Sequence, residues 1–170
     1  MLYLLDANTL IDAKRDYYPF RRVPEFWTWL HHQGIMGKIK IPIEIYEEFE
    51  ESKRKDGNRD ELAEWAADSD VKAALLFGEE ADPELVAEVT IEGYGEDLSD
   101  TEIETIGRDP FLLSYASMDK KNRTIVTTEV SRPGKKRANR KIPDVCRDLG
   151  IHCINNFQLL NELDFRTSWQ

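Results

Sequence analysis

Four short apolar or β-branched runs, each separated from the next by longer stretches of helical pattern, constrain the fold of this chain most strongly. The runs are LYLLD from residue 2, KIKIP at 38–42, RTIVTTE at 123–129 and IHCINN at 151–156. Their length and composition predict β-strands. Strands separated by helices predict a parallel sheet covered on both faces. We therefore expect an α/β fold, a three-layer α/β/α sandwich with a central parallel sheet.

The helical patterns place the remaining regular structure between these strands. Helices are predicted at roughly 9–15, 24–33, 43–55, 60–76, 83–89, 100–107, 110–119, 143–149 and 157–163. A chain of 170 residues with 41% hydrophobic content can build one compact core. We expect a single domain over residues 1–170, in which the polar, helix-rich stretch at about 56–108 is an acidic elaboration.

Charge is distributed unevenly along the sequence. The net charge is -10, but residues 1–42 and 110–170 carry +2 and +5, while residues 43–109 carry -17. An anionic substrate could therefore meet a locally basic surface. No apolar stretch reaches the ~18 residues of a membrane span, and the first residues do not read as a signal peptide. We expect a cytoplasmic protein without a membrane partner, and we assign no chemistry to Cys146 and Cys153.

The first strand ends at a carboxylate, Asp6, with Asn8 close behind it. In an open parallel sheet, ligands bind beyond the carboxyl ends of the strands, so Asp6 is a candidate functional residue. Thr9 and Asp12 have the Thr-x-x-Asp spacing of a capping box, which would explain both without any chemistry.

The helix after the second strand carries five glutamates in IEIYEEFEESKR. At about 100° per residue, Ile45, Tyr46 and Phe49 define its buried stripe. Glu48 lies on the flank of that stripe and is the first candidate for an inward-facing acid, while Glu44 is the second. The alternative is that all five glutamates are solvated.

Three further acids occupy edges of predicted elements. Asp109 precedes Pro110 and could simply cap a helix, Glu129 directly follows the apolar part of the third strand, and Asp144 begins another helix as a cap, a ligand or both. Clustered carboxylates repel one another, and a hard divalent cation relieves that repulsion. Oxygen ligands favour Mg²⁺ or Mn²⁺, and the three histidines have no useful metal spacing.

Four of these motifs, in order, resemble those of the PIN-domain nucleases. YLLDANTLID resembles the first-strand motif, IPIEIYEEF the strand-to-helix segment, DPFLLSYA the third-acid helix and IVTTE the strand that ends in an acid, although that acid is usually Asp. The stretch VTTEVSRPGKKRANRKIPDVCRDLGI is similar to a branch of PIN proteins catalogued as a domain of unknown function, close to VapC-type toxins.

This resemblance implies a metal-dependent endoribonuclease, with an antitoxin protein as partner and a possible homodimer. It implies that Asp6, Glu48, Asp109 and Glu129 hold Mg²⁺ or Mn²⁺, that Asn8 supports them and that Asp144 adds a ligand. The loop RPGKKRANRK would receive the RNA backbone through its six cations, which are Arg132, Lys135, Lys136, Arg137, Arg140 and Lys141.

Two other readings stay open. LLDANTL also resembles the Asp-x-Asp-x-Thr motif of haloacid-dehalogenase phosphatases, but Asn8 stands where that family has its second acid. The chain could instead be a non-catalytic interaction module whose groove is lined by Trp27, Trp29 and Trp65, although core packing is the commoner fate of tryptophan.

Overall fold

The computed structural model describes residues 1–50 and 60–169, and its centre is a parallel sheet of four strands. The strands are β1 (Leu2–Leu5), β2 (Ile39–Lys40), β3 (Arg123–Val126) and β4 (His152–Ile154). Their order is β2-β1-β3-β4, so β1 is an inner strand. All four predicted strands are confirmed, with shorter bounds than the apolar runs.

Helices cover both faces of this sheet. Successive residues of a strand point to opposite faces, and the neighbours Leu4 and Leu5 in β1 are both 0% exposed, as is Ile125 beside Val126 in β3. The chain is therefore an α/β protein with a three-layer α/β/α arrangement, as the sequence predicts.

The helices of the described residues follow the predicted pattern with some differences in their bounds. They are α1 (Ala7–Asp12), α2 (Pro24–Ile35), α3 (Ile43–Glu50), α4 (Glu61–Ala66), α5 (Ser69–Leu75), α6 (Pro83–Tyr94), α7 (Asp100–Ile106), α8 (Asp109–Ser117), α9 (Ile142–Leu149) and α10 (Asn156–Glu162). A π-helical turn at Ala13–Tyr17 continues α1, and a 3-10 turn spans Arg137–Asn139. Residues 51–55 of the predicted helix at 43–55 lie outside the described residues.

Three local predictions are wrong. Thr9 does not cap α1, because its hydroxyl donates to the Val126 carbonyl oxygen at 3.0 Å, and Asp12 accepts from the Thr128 hydroxyl instead. The predicted helix at 60–76 is two helices, because the Asp68 carboxylate caps a new helix start. Asp109 is the first helical residue of α8 and does not cap it.

Two of the three tryptophans do not line a groove. Trp27 and Trp29 are buried, at 3% and 1% exposure, and Trp65 packs its ring 5.0 Å from that of Trp27. Trp27 and Trp29 belong to the core, whereas the partly buried Trp65 packs against it and borders a cavity of about 410 Å³. No helix within the described residues combines the length and apolar character needed to cross a membrane.

The acidic elaboration packs onto the C-terminal helices through α6. α6 contacts α8 and α9. Gly93 permits this approach, because a Cβ at that position would stand 2.7 Å from Cγ1 of Val145. The next residue, Tyr94, is thereby brought to the edge of the sheet where the predicted acids lie.

Candidate active site

The candidate site lies where the connections of the sheet change direction. From β1 the chain passes to β2 on one side, whereas β3 and β4 lie on the other. Leu5 pairs with Val126 in register, and the Asp6 backbone nitrogen donates to the Val126 carbonyl oxygen at 2.9 Å. In open α/β sheets, such a switch point leaves a crevice at the carboxyl ends of the strands. Asp6 and Thr127 face each other there.

Asp6 is buried at this crevice and is held by hydrogen bonds. The residue is 3% exposed, and the Thr127 hydroxyl donates to its Oδ2 at 2.7 Å. The pKa of Asp6 is raised to about 6 overall. Burial is the largest cause and the Glu129 charge adds to it, whereas the hydrogen bonds from Thr127 and from Asn8 act in the opposite direction. Asn8 therefore supports the Asp6 carboxylate directly.

Asp109 reaches the same crevice from the first turn of α8. The Tyr94 hydroxyl donates to its Oδ2 at 3.2 Å. Burial and the charges of Asp6 and Glu129 raise the pKa of Asp109 to about 8, with a further contribution from Glu48, while the Tyr94 hydrogen bond opposes them. The Asp109 carboxyl group thus senses all three of the other predicted acids.

Of the two glutamates considered in α3, the structure brings Glu48 to this site. Desolvation and then the Asp6 charge raise the pKa of Glu48, while Arg108 lowers it. The residue as a whole stays exposed to solvent, and among the acids it is Asp6 whose charge acts on the Glu48 carboxylate. Glu44 points elsewhere, since its Oε1 accepts a 3.4 Å hydrogen bond from the Tyr115 hydroxyl.

Glu129 closes the group from the segment after β3, and it already has a cationic partner. Lys141 Nζ lies 2.5 Å from Oε1, and the Ile142 backbone nitrogen donates to Oε2 at 2.9 Å. The Glu129 backbone nitrogen donates to the Thr127 hydroxyl at 3.1 Å. Both carboxylate oxygens of Glu129 are therefore bound at the start of α9.

Asp144 has a different environment from the other acids. It is 1% exposed, and its oxygens accept from the Ser131 hydroxyl at 2.5 Å and from the Arg132 backbone nitrogen at 2.6 Å. Burial alone would raise its pKa, but these bonds and Arg147 lower it below its ordinary value. Asp144 therefore anchors the basic loop, which comprises residues 132–141, and stands apart from the group of acids at the crevice.

The basic loop divides into anchoring and unpaired cations. Arg137 pairs with Glu102, Arg140 pairs with Asp148, and Lys141 pairs with Glu129. In the part of the chain that the structure describes, the side chains of Arg132, Lys135 and Lys136 form no ion pair. Three of the six loop cations thus remain available for an external anion.

A cavity of about 320 Å³ joins the acids to these cations. Its lining includes Asn8, Asp109, Glu129, Arg132, Lys135 and Lys141. Larger cavities of about 410 Å³ occur elsewhere, one of them between α2 and α5 and lined by His31 and Lys40, but they are remote from the acids. The smaller cavity is the candidate substrate cavity, because of these three it alone borders Asp109 together with Arg132 and Lys135.

A family model described as a domain of unknown function (DUF4411) matches residues 3–167. The chain belongs to the DUF4411 family. Neither the curated proteins nor the solved structures contain a match. The DUF4411 match extends from β1 beyond α10, so every residue of the candidate site lies inside it.

The candidate site of this DUF4411 protein includes two residues, Thr127 and Tyr94, that were not predicted from the sequence. Thr127 carried a visible signal, because it is the first polar residue after the apolar part of β3. Tyr94 carried none, because it belongs to the elaboration and reaches Asp109 only through the packing of α6 on α8 and α9.

The donor set of the site fits a hard divalent cation by its chemistry. Four carboxyl groups could supply oxygen ligands, and a cation would offset both causes of the raised pKa of Asp109, which are burial first and then the charges of Asp6 and Glu129. Within the described residues, however, no three acidic, His or Cys side chains converge closely enough to hold an ion as they stand. Binding therefore requires side-chain movement, and Glu129 would have to exchange Lys141 for the ion.

Proposed function

We propose that this protein is an endoribonuclease that depends on Mg²⁺ or Mn²⁺. The observation that carries the proposal is the electrostatic coupling of Asp109 to Asp6, Glu129 and Glu48, which come from four different segments and meet at the switch point of a parallel sheet. Structural ion pairs usually place opposite charges together, whereas a cluster of acids in a cleft is typical of a functional site.

Each residue would have a distinct task. Asp6, Glu48, Asp109 and Glu129 would hold the cation, and Asn8 would fix the orientation of Asp6. The bound metal would lower the pKa of water and neutralise charge on the scissile phosphate. Arg132 and Lys135 line the same cavity and pair with no acid in the described part of the chain, so they would bind the phosphates that flank the cleaved bond.

The choice of RNA and the biological setting rest on the resemblance to PIN-domain nucleases and VapC-type toxins. We propose a cytoplasmic toxin that an antitoxin protein inhibits, with a homodimer as the expected assembly. Growth arrest on expression, relieved by the product of a neighbouring gene, would support this role. Expression without any effect on growth would count against a toxin and leave the nuclease proposal standing.

The decisive experiment measures cleavage of a 5′-labelled single-stranded RNA by purified protein. We expect cleavage with Mg²⁺ or Mn²⁺, none with chelator, and a loss of at least about 100-fold in rate for Asp6→Asn and Asp109→Asn. Glu92→Gln is the matched control, because Glu92 is an exposed carboxylate on α6 away from the crevice. Equal cleavage by Asp6→Asn and the wild type would refute the proposal and favour a non-catalytic interaction module.

A further inference from the structure

A second cavity lies on the other side of Glu129. It has a volume of about 320 Å³ and is lined by Tyr17, Thr128, Glu129, Val130, Asn156 and Phe157, together with the neighbouring Asn155. This volume is at the lower end of the ~300–1,000 Å³ typical of small-molecule pockets. Because Glu129 lines both cavities, the second one adjoins the first across this residue.

The apolar side chains of this second cavity are unusually exposed. Tyr17, Phe157 and Val130 are 45%, 48% and 73% exposed. The rings of Tyr17 and Phe157 pack edge to face, with centroids 5.3 Å apart and planes at 82°. This contact fixes their positions while leaving ring surface open. Clustered exposed aromatic side chains beside a cleft are typical of a binding surface.

Asn156 adds a side-chain amide nitrogen that has no hydrogen-bond partner in the described part of the chain. The residue is 7% exposed, and its Oδ1 accepts from the Phe157 backbone nitrogen at 3.1 Å, which fixes the orientation of the amide. Its Nδ2 is buried and finds no acceptor among the described residues. A buried donor without an acceptor is costly in a folded protein. An acceptor supplied by a ligand would remove that cost after a rotation of the Asn156 side chain brings Nδ2 to the cavity surface.

We infer that this cavity binds one unpaired nucleobase of the RNA, next to a phosphate bound by Arg132 and Lys135 in the adjoining cavity. Tyr17 and Phe157 would contact the base through their rings, and Asn156 Nδ2 would donate to a carbonyl oxygen or ring nitrogen on its edge. Proteins commonly recognise single-stranded RNA by combining aromatic contact with hydrogen bonds to base edges. The inference rests on the proposed function, because it takes RNA as the substrate.

The position of the cavity favours a base over a protein segment as its occupant. The cations Arg132 and Lys135 border the adjoining cavity. A ligand that fills both cavities must therefore place phosphate on one side of Glu129 and a flat apolar group on the other. A nucleotide has this combination within a single unit.

The test measures binding of labelled single-stranded RNA and of an RNA duplex by fluorescence anisotropy, with chelator present so that no cleavage occurs. We expect the wild type to prefer the single strand. Phe157→Leu and Tyr17→Leu should each weaken single-strand binding about fivefold or more, without changing duplex binding, because they keep apolar volume but remove the ring. Phe157→Trp should retain binding.

Two controls complete the experiment. Ile103→Ala removes an equally exposed apolar side chain on α7 and should leave RNA affinity unchanged. Asn156→Asp replaces the free donor with an acceptor and should flatten any preference among oligonucleotides of A, C, G and U. Thermal unfolding of each variant verifies the fold.

The result separates this inference from the nuclease proposal. Unchanged single-strand affinity in Phe157→Leu and Tyr17→Leu overturns the base site even if the protein cleaves RNA, and it is also the result expected if a protein segment fills the cavity. Equal losses for single strand and duplex overturn it as well. Selective single-strand losses in a protein that never cleaves support the base site and refute the nuclease.

Discussion

Burial, together with the charges of Asp6 and Glu129, disfavours the ionised form of Asp109 in the folded protein. Its pKa is raised to about 8 from an ordinary value of 3.8, so the folded state binds a proton more tightly than the unfolded state. A group of this kind destabilises the fold progressively as pH rises from about 4 towards 8. Asp6 acts in the same direction, with a pKa of about 6. The acids at the crevice therefore reduce stability when no cation accompanies them.

Asp109→Asn should accordingly stabilise the metal-free protein. At pH 8 we expect the free energy of unfolding to increase by at least ~1 kcal/mol, with little change at pH 4, because the amide cannot ionise. Urea unfolding with chelator present, repeated between pH 4 and 8, measures this effect. Glu92→Gln should show no comparable pH dependence. An Asn variant less stable than the wild type at pH 8 would contradict the prediction.

At the proposed metal site, Lys141 would compete with the ion for Glu129, with which it forms an ion pair. Lys141→Met should raise the affinity for Mn²⁺ severalfold, because it frees a carboxylate and removes a nearby positive charge; the expected effect is on the order of 1 kcal/mol. Lys141→Arg keeps the charge and should bind Mn²⁺ like the wild type. Calorimetric titration of both variants compares the affinities. A weaker affinity in Lys141→Met would show that Lys141 assists metal binding.

At the scale of elements, the proposed function divides the cations of the loop between β3 and α9 into those that would bind RNA and those that anchor the loop. Arg132→Ala and Lys135→Ala should weaken RNA binding and each reduce the slope of log affinity against log salt by about 1, without a change in stability. Arg140 instead donates to the Gly93 carbonyl oxygen at 2.5 Å and pairs with Asp148.

Arg140→Ala therefore serves as the matched comparison for those two loop variants. It should lower stability by about 1 kcal/mol and leave the salt slope unchanged, because its charge is already neutralised in the fold. Urea unfolding and anisotropy titrations at several salt concentrations measure both properties. A reduced salt slope in Arg140→Ala would mean that Arg140 also contacts phosphate.

The acidic elaboration contributes to the site through α6. Tyr94→Phe removes the hydrogen bond that lowers the pKa of Asp109, so the Asp109 pKa should rise and Mn²⁺ affinity at pH 7 should fall severalfold. Tyr115→Phe is the control, because its hydroxyl contacts Glu44 outside the crevice. Mn²⁺ titrations between pH 6 and 8 should show the largest difference at the lower pH. Equal affinities in both variants would exclude this role for Tyr94.

Local sequence patterns were sufficient to predict the helices and strands, but they did not predict the hydrogen bonds at the ends of these elements. The stripe of Ile45, Tyr46 and Phe49 is buried as predicted, because helix periodicity alone decides it. The expected capping box at Thr9 failed because the hydroxyl found a partner in β3, 117 residues away in the chain. A competing tertiary hydrogen bond of this kind leaves no trace in the local sequence.

At the scale of the whole molecule, strand order decides which acids meet. The sequence placed Asp6 and Glu129 at the ends of strands, but only the order β2-β1-β3-β4 brings those ends to one switch point. The order depends on how the intervening helices pack, so sequence periodicity could not supply it. The contacts of Tyr94 with Asp109 and of Lys141 with Glu129 have the same origin in global packing.

Metal binding should therefore be visible in the stability of the whole protein. Mn²⁺ at about 100 times its dissociation constant should stabilise the fold by about 2.7 kcal/mol and raise the midpoint of thermal unfolding by about 5–10 °C. At a fixed Mn²⁺ concentration, the stabilisation should grow between pH 6 and 8, because Asp109, with its pKa of about 8, must lose its proton to bind the ion. Thermal scans with Mn²⁺ or chelator at each pH measure this shift. Asp6→Asn should lose most of the increase and Glu92→Gln should keep it, so an equal increase in both would place the bound ion outside the crevice.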